Sequence, residues 1–410
     1  MLISFSVENY RSIKEKKIFT FACAKNTDSP TGTYDFGGDR FNLISAVFGA
    51  NASGKSTLLM AFQFVKTLIM SNGPTLPGQG IAVPRFKMCT LNGTPAKFQI
   101  LFVKNHIKYF YEFWVKPEGI VYEILKYAPK GHFVLVFERK SNQEYDFGVD
   151  EATLSPLVSK TLPTRLFLTT AASWNFVVAQ EAVVFFTHDV IIDSRHTLYL
   201  SEPGLHDVNE FTRKILADPK LTDFVLRFIR IADPSISSLQ IKQSTALAFP
   251  VLGSDGVYRL LPPKDDLVFI HVCDGKQYPL HDFEESVGTM SLIALSCYLY
   301  EVLKEQRILM IDEFDSSLHP LICRAIVDTF LSKAPENGSQ LLFTTHDLSL
   351  LSLEIFRRDQ IWFAERCQDG GSDYFSLADI GGVRVSDKIA RDYLSGRYGA
   401  IPSVKGLADL

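Results

Sequence analysis

The eight residues GANASGKS, Gly49 to Ser56, decide the fold of this chain. They match G-x-x-x-x-G-K-[ST], the spacing of a phosphate-cradling loop. Phosphate oxygens need several backbone N–H groups converging on them, and glycines let the chain curl without a clashing Cβ. The apolar run Leu43–Phe48 in front of the loop reads as a buried strand. Behind it Leu58, Phe62, Val65 and Ile69 recur at helical spacing, so a helix begins at about Lys55. That helix turns its positive dipole end towards the same phosphates. Lys55 is placed to neutralise the β and γ phosphates of a nucleotide, and Ser56 to offer a hydroxyl to Mg²⁺. Gly49, Asn51, Gly54, Lys55, Ser56 and Thr57 are therefore the expected nucleotide contacts.

Three further stretches carry chemistry. ILMIDEFDSSLHP, Ile308 to Pro320, opens with four apolar residues, as a strand buried on both faces does. Asp312 and Glu313 follow at its carboxyl end, where α/β proteins place their ligands. Adjacent carboxylates repel unless a cation lies close. Asp312 is thus expected to hold Mg²⁺ through water, and Glu313 to polarise an attacking water as general base. LLFTTHD, Leu341 to Asp347, reads as another buried strand, ending in Thr345 and His346. A lone histidine is more often structural, but from this strand end His346 could donate a hydrogen bond to a γ-phosphate. ESVGTMSLIALSCYLYEVL, from Glu285, sets Ser286, Gly288 and Thr289 before a helix whose Leu292, Leu295 and Leu299 share one face. Such a start either binds an anion or is an ordinary N-cap, and the residues alone leave both open.

At 410 residues the chain exceeds the usual single-domain size, and 46% hydrophobic against 21% charged residues supplies a large core. The net charge of −4 gives no bulk reason to expect nucleic acid, while leaving a local basic groove open. The six cysteines form no C-x-x-C pair or His/Cys cluster, which argues against a zinc site and a disulfide framework. They read as small buried apolar residues in a reducing compartment. MLISFSVENYRSIKEKK lacks the basic-then-apolar order of a signal peptide, and no apolar run approaches the ~20 residues that cross a bilayer. A cytoplasmic protein with no membrane partner is expected.

LISFSV and KIFTFAC read as strands around a polar turn containing Asn9, Tyr10 and Arg11. KFQILFV, IKYFYEFWV, GIVYEILKY and HFVLVFE read as an antiparallel meander whose partial alternation points to some strands covered on both faces. NEFTRKILADPKLTDFVLRFIRIADPSI reads as two helices, broken at Pro219 and ended before Pro234. No heptad persists, which argues against a long coiled-coil arm. Residues 258–283 return to strand-like pieces, and the remainder alternates helix and strand, the pattern of a parallel sheet. The expected division gives residues 1–150 the P-loop and the meander, 151–245 a mainly helical insertion, and 246–410 the S-x-G-T helix, the Asp-Glu strand and the histidine.

The order of P-loop, S-x-G-T helix start, Asp-Glu strand and strand-end histidine resembles the ABC-type ATPases. Asn51 at the third position of the P-loop and the opening SFSVENYRSI look like the SMC, RecF and OLD branch rather than the transporters. IDEFDSSLHP, ESVGT and the closing YLSGRYGAIP are similar to the small AAA ATPases of bacterial abortive-infection and phage-defence operons. The resemblance covers residues 1–70 and 280–402. It implies an α/β ATPase head with a mixed, largely parallel core sheet, an antiparallel β subdomain and a helical insertion, using ATP and Mg²⁺. It also implies two heads facing each other in a homodimer or higher homo-oligomer. Ser286 and Gly288 of one subunit would then close over the nucleotide held by Lys55 of the other. Asp315 and Ser316 would lie in the loop crossing that interface, and Arg11 near the nucleotide.

The S-x-G-T start departs from the transporter version in lacking the second glycine and the glutamine. No Q-loop glutamine can be placed, since Gln63 lies inside the P-loop helix and Val83–Lys87 has none. With Leu410 soon after YLSGRYGAIP, no Toprim nuclease is expected to follow the head, and any nuclease is expected to be another polypeptide. The expected reading is a stand-alone head whose closure regulates a separately encoded nuclease or toxin. The alternative is a RecF-like ATP-dependent DNA-binding protein in repair, against which the lack of any Lys/Arg run argues.

Overall fold

The computed structural model describes residues 1–25, 32–71, 80–88, 93–193, 211, 214–215, 217–242, 249–252, 258–261, 266–316, 318–333, 338–384 and 386–401. In chain order the elements are β1 (Leu2–Glu8), β2 (Lys17–Thr20), β3 (Thr33–Phe36), β4 (Asp39–Asn42), β5 (Ile44–Phe48) and α1 (Lys55–Met70). Then come β6 (Ala96–Lys104), β7 (Ile107–Lys116), β8 (Gly119–Ala128), β9 (Val134–Arg139) and β10 (Tyr145–Phe147). After them follow α2 (Phe167–Ser173), α3 (Val177–Val184), β11 (Val190–Asp193), α4 (Pro219–Ala232) and β12 (Ile236–Lys242). β13 (Phe249–Leu252), β14 (Tyr258–Leu261), β15 (Asp266–Cys273), β16 (Lys276–His281) and α5 (Val287–Glu305) precede β17 (Ile308–Ile311). The chain closes with α6 (Pro320–Lys333), β18 (Gln340–Thr344), β19 (Ile361–Arg366), β20 (Ser372–Ser376) and α7 (Ile389–Leu394).

The chain divides into two units. Residues 1–194, 305–314 and 324–410 make the first; residues 195–304 and 315–323 make the second.

A parallel sheet is covered on both faces, so its strands are unbroken apolar runs. Ile44–Phe48, Ile308–Ile311 and Gln340–Thr344 are buried at every position, and they lie side by side. The core sheet of the first unit runs β11-β17-β18-β5-β19-β20, parallel throughout except for the last pair. The expected meander forms, β6 to β10 in order, and β1 and β2 extend it to seven antiparallel strands. β7 alternates buried and half-buried side chains residue by residue. Gln340 ties β1 to the core sheet, accepting from Leu2 N at 2.6 Å and donating to Leu2 O at 3.0 Å. Leu58, Leu59, Ala61, Phe62, Val65, Leu68 and Ile69 of α1 are all buried, joining residues of both sheets in one cluster. A helix apolar on most sides is one covered on most sides.

Residues 151–193, read as the start of the insertion, lie in the first unit. Phe167, Ala171, Ala179 and Phe186 from this stretch join the main core, and the stretch ends in β11, an edge strand of the parallel sheet. Thr33–Asn42 forms a separate antiparallel hairpin of β3 and β4.

In the second unit β12, β15 and β16 form an antiparallel sheet and β13 pairs with β14. The break at Pro219 is a helix start: Asp218 caps α4 by accepting from Lys220 N at 2.9 Å, and Asp233 closes it before Pro234. The expected helix before Pro219 falls largely outside the described residues.

Cys297 and Cys323 are buried, whereas Cys273 is exposed and Cys23 and Cys367 are half-buried, so the reading of all six as buried is corrected. Cys273 ends β15 where the hairpin turns at Asp274-Gly275, and little covers a hairpin end. Cys89 lies outside the described residues. No helix among the described residues is long and apolar enough to cross a membrane.

Candidate functional site

β5 stops at Phe48 and the chain curls into the loop. Gly49 takes φ +155° and Gly54 φ +109°. A Cβ at Gly49 would stand 2.3 Å from Ala364 O, and one at Gly54 would stand 2.2 Å from Ser372 Oγ. Both glycines are thus required by close approach. Lys55 opens α1 and is 6% exposed. Its Nζ donates to Gly49 O at 2.9 Å and Ala50 O at 3.0 Å, so the ammonium lies across the loop. The Ser53 hydroxyl is buried there with no hydrogen-bond partner among the described residues.

The loop rests on residues the sequence did not single out. Tyr374 Oη donates to Gly54 O at 2.6 Å, and burial pushes this phenol well above its ordinary range, keeping it a donor. Ser372 Oγ donates to Ser12 Oγ at 2.8 Å, and Ser12 Oγ to Thr57 Oγ1 at 3.0 Å.

Asp312 and Glu313 follow β17 directly. One hydroxyl organises both. Thr344 Oγ1 donates to Asp312 Oδ1 at 2.6 Å and accepts from Glu313 N at 2.8 Å, while Thr344 O accepts from Phe314 N at 2.8 Å. Asp312 N donates to Asp193 O of β11 at 3.1 Å. Glu313 takes φ +50°, a left-handed conformation that costs a non-glycine residue about 1 kcal/mol and turns the side chain off the strand direction.

A pocket of ≈ 470 Å³ is lined by Arg11, Ser12, Asn51, Ala52, Gly54, Lys55, Ser56, Thr57, Met60, Glu313, His346 and Arg366. The fold therefore brings Arg11, the loop, Glu313 and His346 to one opening. Gly49 lies at the loop's start beneath it, and Asp312 is buried beside Glu313 rather than on the wall. Arg366 ends β19 and adds a third cation to Lys55 and Arg11. Nothing local distinguishes it in sequence, and it reaches the pocket because β19 pairs with β5. Thr344, the last residue of β18, stands one position before the strand-end Thr345.

Ser286 and Gly288 lie in the second unit. Ser286 Oγ accepts from Thr289 N at 3.0 Å and lies 2.9 Å from Thr289 Oγ1, which is N-cap geometry at the start of α5. Leu292, Leu295 and Leu299 are buried, as their shared face requires. Asp315 and Ser316 are half-buried in the loop after Phe314.

The site's residues fit a triphosphate and its magnesium. A buried ammonium held by loop carbonyls, two cradle glycines and the unpartnered Ser53 hydroxyl suit phosphate oxygens. Ser56 and Asp312 offer the hard oxygens Mg²⁺ takes.

The family model described as "AAA domain, putative AbiEii toxin, Type IV TA system" matches residues 44–352, well over half of the chain. No curated protein matches the chain. Among solved structures it is similar to the SMC head domain from Thermotoga maritima, at 12% identity over 92% of this chain and 98% of that one, with TM-score 0.39. It is also similar to the Smc head domain with an extended coiled coil bound to the C-terminal domain of ScpA, derived from Pyrococcus furiosus. There the identity is 12%, over 92% of this chain and 96% of that one, with TM-score 0.42. Family membership rests on the sequence match alone.

Proposed function

This chain belongs to the AAA-domain family described as putative AbiEii toxin of a type IV toxin–antitoxin system, and from that premise we propose that it is an ATP-hydrolysing head. Its nucleotide-dependent closure, in this reading, regulates a separately encoded effector, a nuclease or toxin of antiphage defence in the cytoplasm. What supports the reading is one observation: Lys55, Ser56, Glu313, His346 and Arg11 share a single pocket although they come from four separate parts of the sequence.

In this reading Lys55 exchanges its loop carbonyls for the β and γ phosphates. Asn51 and the backbone of Gly49 to Thr57 cradle the phosphates, and Arg11 and Arg366 complement their charge. Ser56 and Asp312 would hold Mg²⁺, which when bound neutralises phosphate charge. Glu313 takes a proton from the attacking water, its amide anchored by Thr344 so that the carboxylate keeps its aim. His346 donates to the γ-phosphate. Ser286 and Gly288, at the start of α5 in a second copy of the chain, close over the nucleotide, with Asp315 and Ser316 in the loop between the copies.

Glu313→Gln keeps the shape and loses the proton acceptor. It should bind ATP and hydrolyse it on the order of a hundredfold more slowly, accumulating as a closed dimer. Wild-type turnover in this variant would remove Glu313 from the chemistry. An unchanged gel-filtration profile with ATP and Mg²⁺ would remove closure.

A further inference from the structure

The C-terminal stretch Tyr393–Ala400, YLSGRYGA, reaches the phosphate loop at one atom. Ala50 N donates to Ala400 O at 3.0 Å. That carbonyl is held from several sides. Tyr393 Oη donates to the same oxygen at 2.8 Å, and Ala400 N donates to Glu365 Oε1 at 3.0 Å. Ala400 is 2% exposed and takes φ +57°. A Cβ on Gly399, at φ +70°, would stand 2.9 Å from Glu365 Oε1, so the turn closes tightly on the carboxylate. Tyr393 and Tyr398 stack on Phe363 of β19 with centroids 5.4 and 5.9 Å away. Three successive residues of β19 then meet the site in different ways. Ala364 O packs against Gly49, Glu365 holds the Ala400 turn, and Arg366 lines the pocket.

We propose that Glu365, acting through the Ala400 turn, is a positioning residue for phosphate binding. It fixes the carbonyl that engages Ala50 N, and so sets the curl of the loop before a nucleotide arrives. The proposal rests on reading this loop as an ATP site. A loop whose N–H groups must converge loses affinity in proportion to the time it spends in other conformations. Tyr393, Glu365 and the left-handed Ala400 confine it during folding instead. Glu365 contributes an acceptor oxygen rather than a charge, so an amide in its place serves equally.

The test uses the full chain as wild type, Glu365→Ala, Glu365→Gln and Tyr393→Phe. ATP with Mg²⁺ is titrated calorimetrically, and the melting temperature is read without nucleotide. Glu365→Ala should weaken ATP binding about fivefold and lower the melting temperature modestly as the Ala400 N–H loses its acceptor, and Glu365→Gln should stay within about twofold of wild type. Tyr393→Phe, which leaves the Glu365 contact in place, should weaken binding about twofold. Wild-type affinity in Glu365→Ala overturns the proposal, and so does a Glu365→Gln variant as weak as Glu365→Ala. A lowered melting temperature with unchanged affinity also overturns it, since the contact would then serve stability alone. Should Glu365→Ala fail to fold, wild-type affinity in Tyr393→Phe overturns the proposal by itself. A wild type that binds no ATP overturns the ATP reading and this proposal together, whereas ATP binding in wild type beside equal binding in the variants overturns this proposal alone.

Discussion

Glu123 stands in the antiparallel sheet of the first unit, and Glu313 at the end of a core-sheet strand in the same unit. Glu123 and Arg139 are both fully buried, 3.8 Å apart. Glu123 accepts from Phe167 N at 2.7 Å, Leu168 N at 2.9 Å and Tyr111 Oη at 3.0 Å. Arg139 donates to Arg165 O at 2.9 Å and Asn142 Oδ1 at 2.6 Å. These bonds close around the Glu123 carboxylate and fasten β7, β8 and β9 to the N-terminus of α2, while Arg139 Nε is buried without a hydrogen-bond partner among the described residues. Around Glu313 the polar groups are organised just as firmly through Thr344, but they face a pocket with three cations on its wall. A buried carboxylate with all its partners built in is scaffold. One whose surroundings open on cations in a pocket is a place for an anionic ligand.

The largest effect expected from breaking this contrast is at the closed network. Arg139→Met leaves Glu123 buried without its counter-charge, at a cost of about 3–5 kcal/mol of stability in denaturant melts. ATP affinity of the folded protein should not change. The loss should also depend on pH. Burial already lifts the Glu123 carboxyl above its ordinary range, against the pull of Arg139. A group with a raised folded pKa contributes stability below its unfolded pKa and loses it as pH rises through the folded value. The variant should therefore be relatively less destabilised in mild acid than at neutral pH. A pH-independent deficit would contradict the assignment of the charge at Glu123.

A smaller effect is expected where the open site meets its scaffold. Thr344→Val removes the hydroxyl shared by Asp312 and Glu313, taking a hydrogen bond from the buried Asp312 carboxylate and another from Glu313 N, at about 1–3 kcal/mol. Turnover should fall further than ATP affinity does, as steady-state kinetics beside equilibrium binding will tell. Turnover equal to wild type would mean that Thr344 only packs.

The motifs that could be read in the sequence are the local ones. GANASGKS carries its own strand, turn and helix, and ILMI followed by Asp312 and Glu313 carries both its burial and its chemistry. The groups that hold those motifs could not be read, because their partners are distant. Tyr374 reaches Gly54 across 320 positions, and Gln340 reaches Leu2 across 338. β11 is four residues at the end of a helical stretch, too short to show a period, yet it supplies the carbonyl that meets Asp312 N. Ser286 was readable as a helix cap, and its cap bond to Thr289 N is present. Its role towards a second copy depends on surfaces that no spacing encodes.

Calorimetric titration of ATP with Mg²⁺ into wild type and Lys55→Ala tests the central claim most directly. Lys55 is the buried ammonium that spans the loop carbonyls, and no other cation of the pocket starts from that position. The account predicts saturable binding in wild type and none in Lys55→Ala up to about a hundred times the wild-type Kd, with both proteins folded. Equal affinity in the two proteins would contradict it.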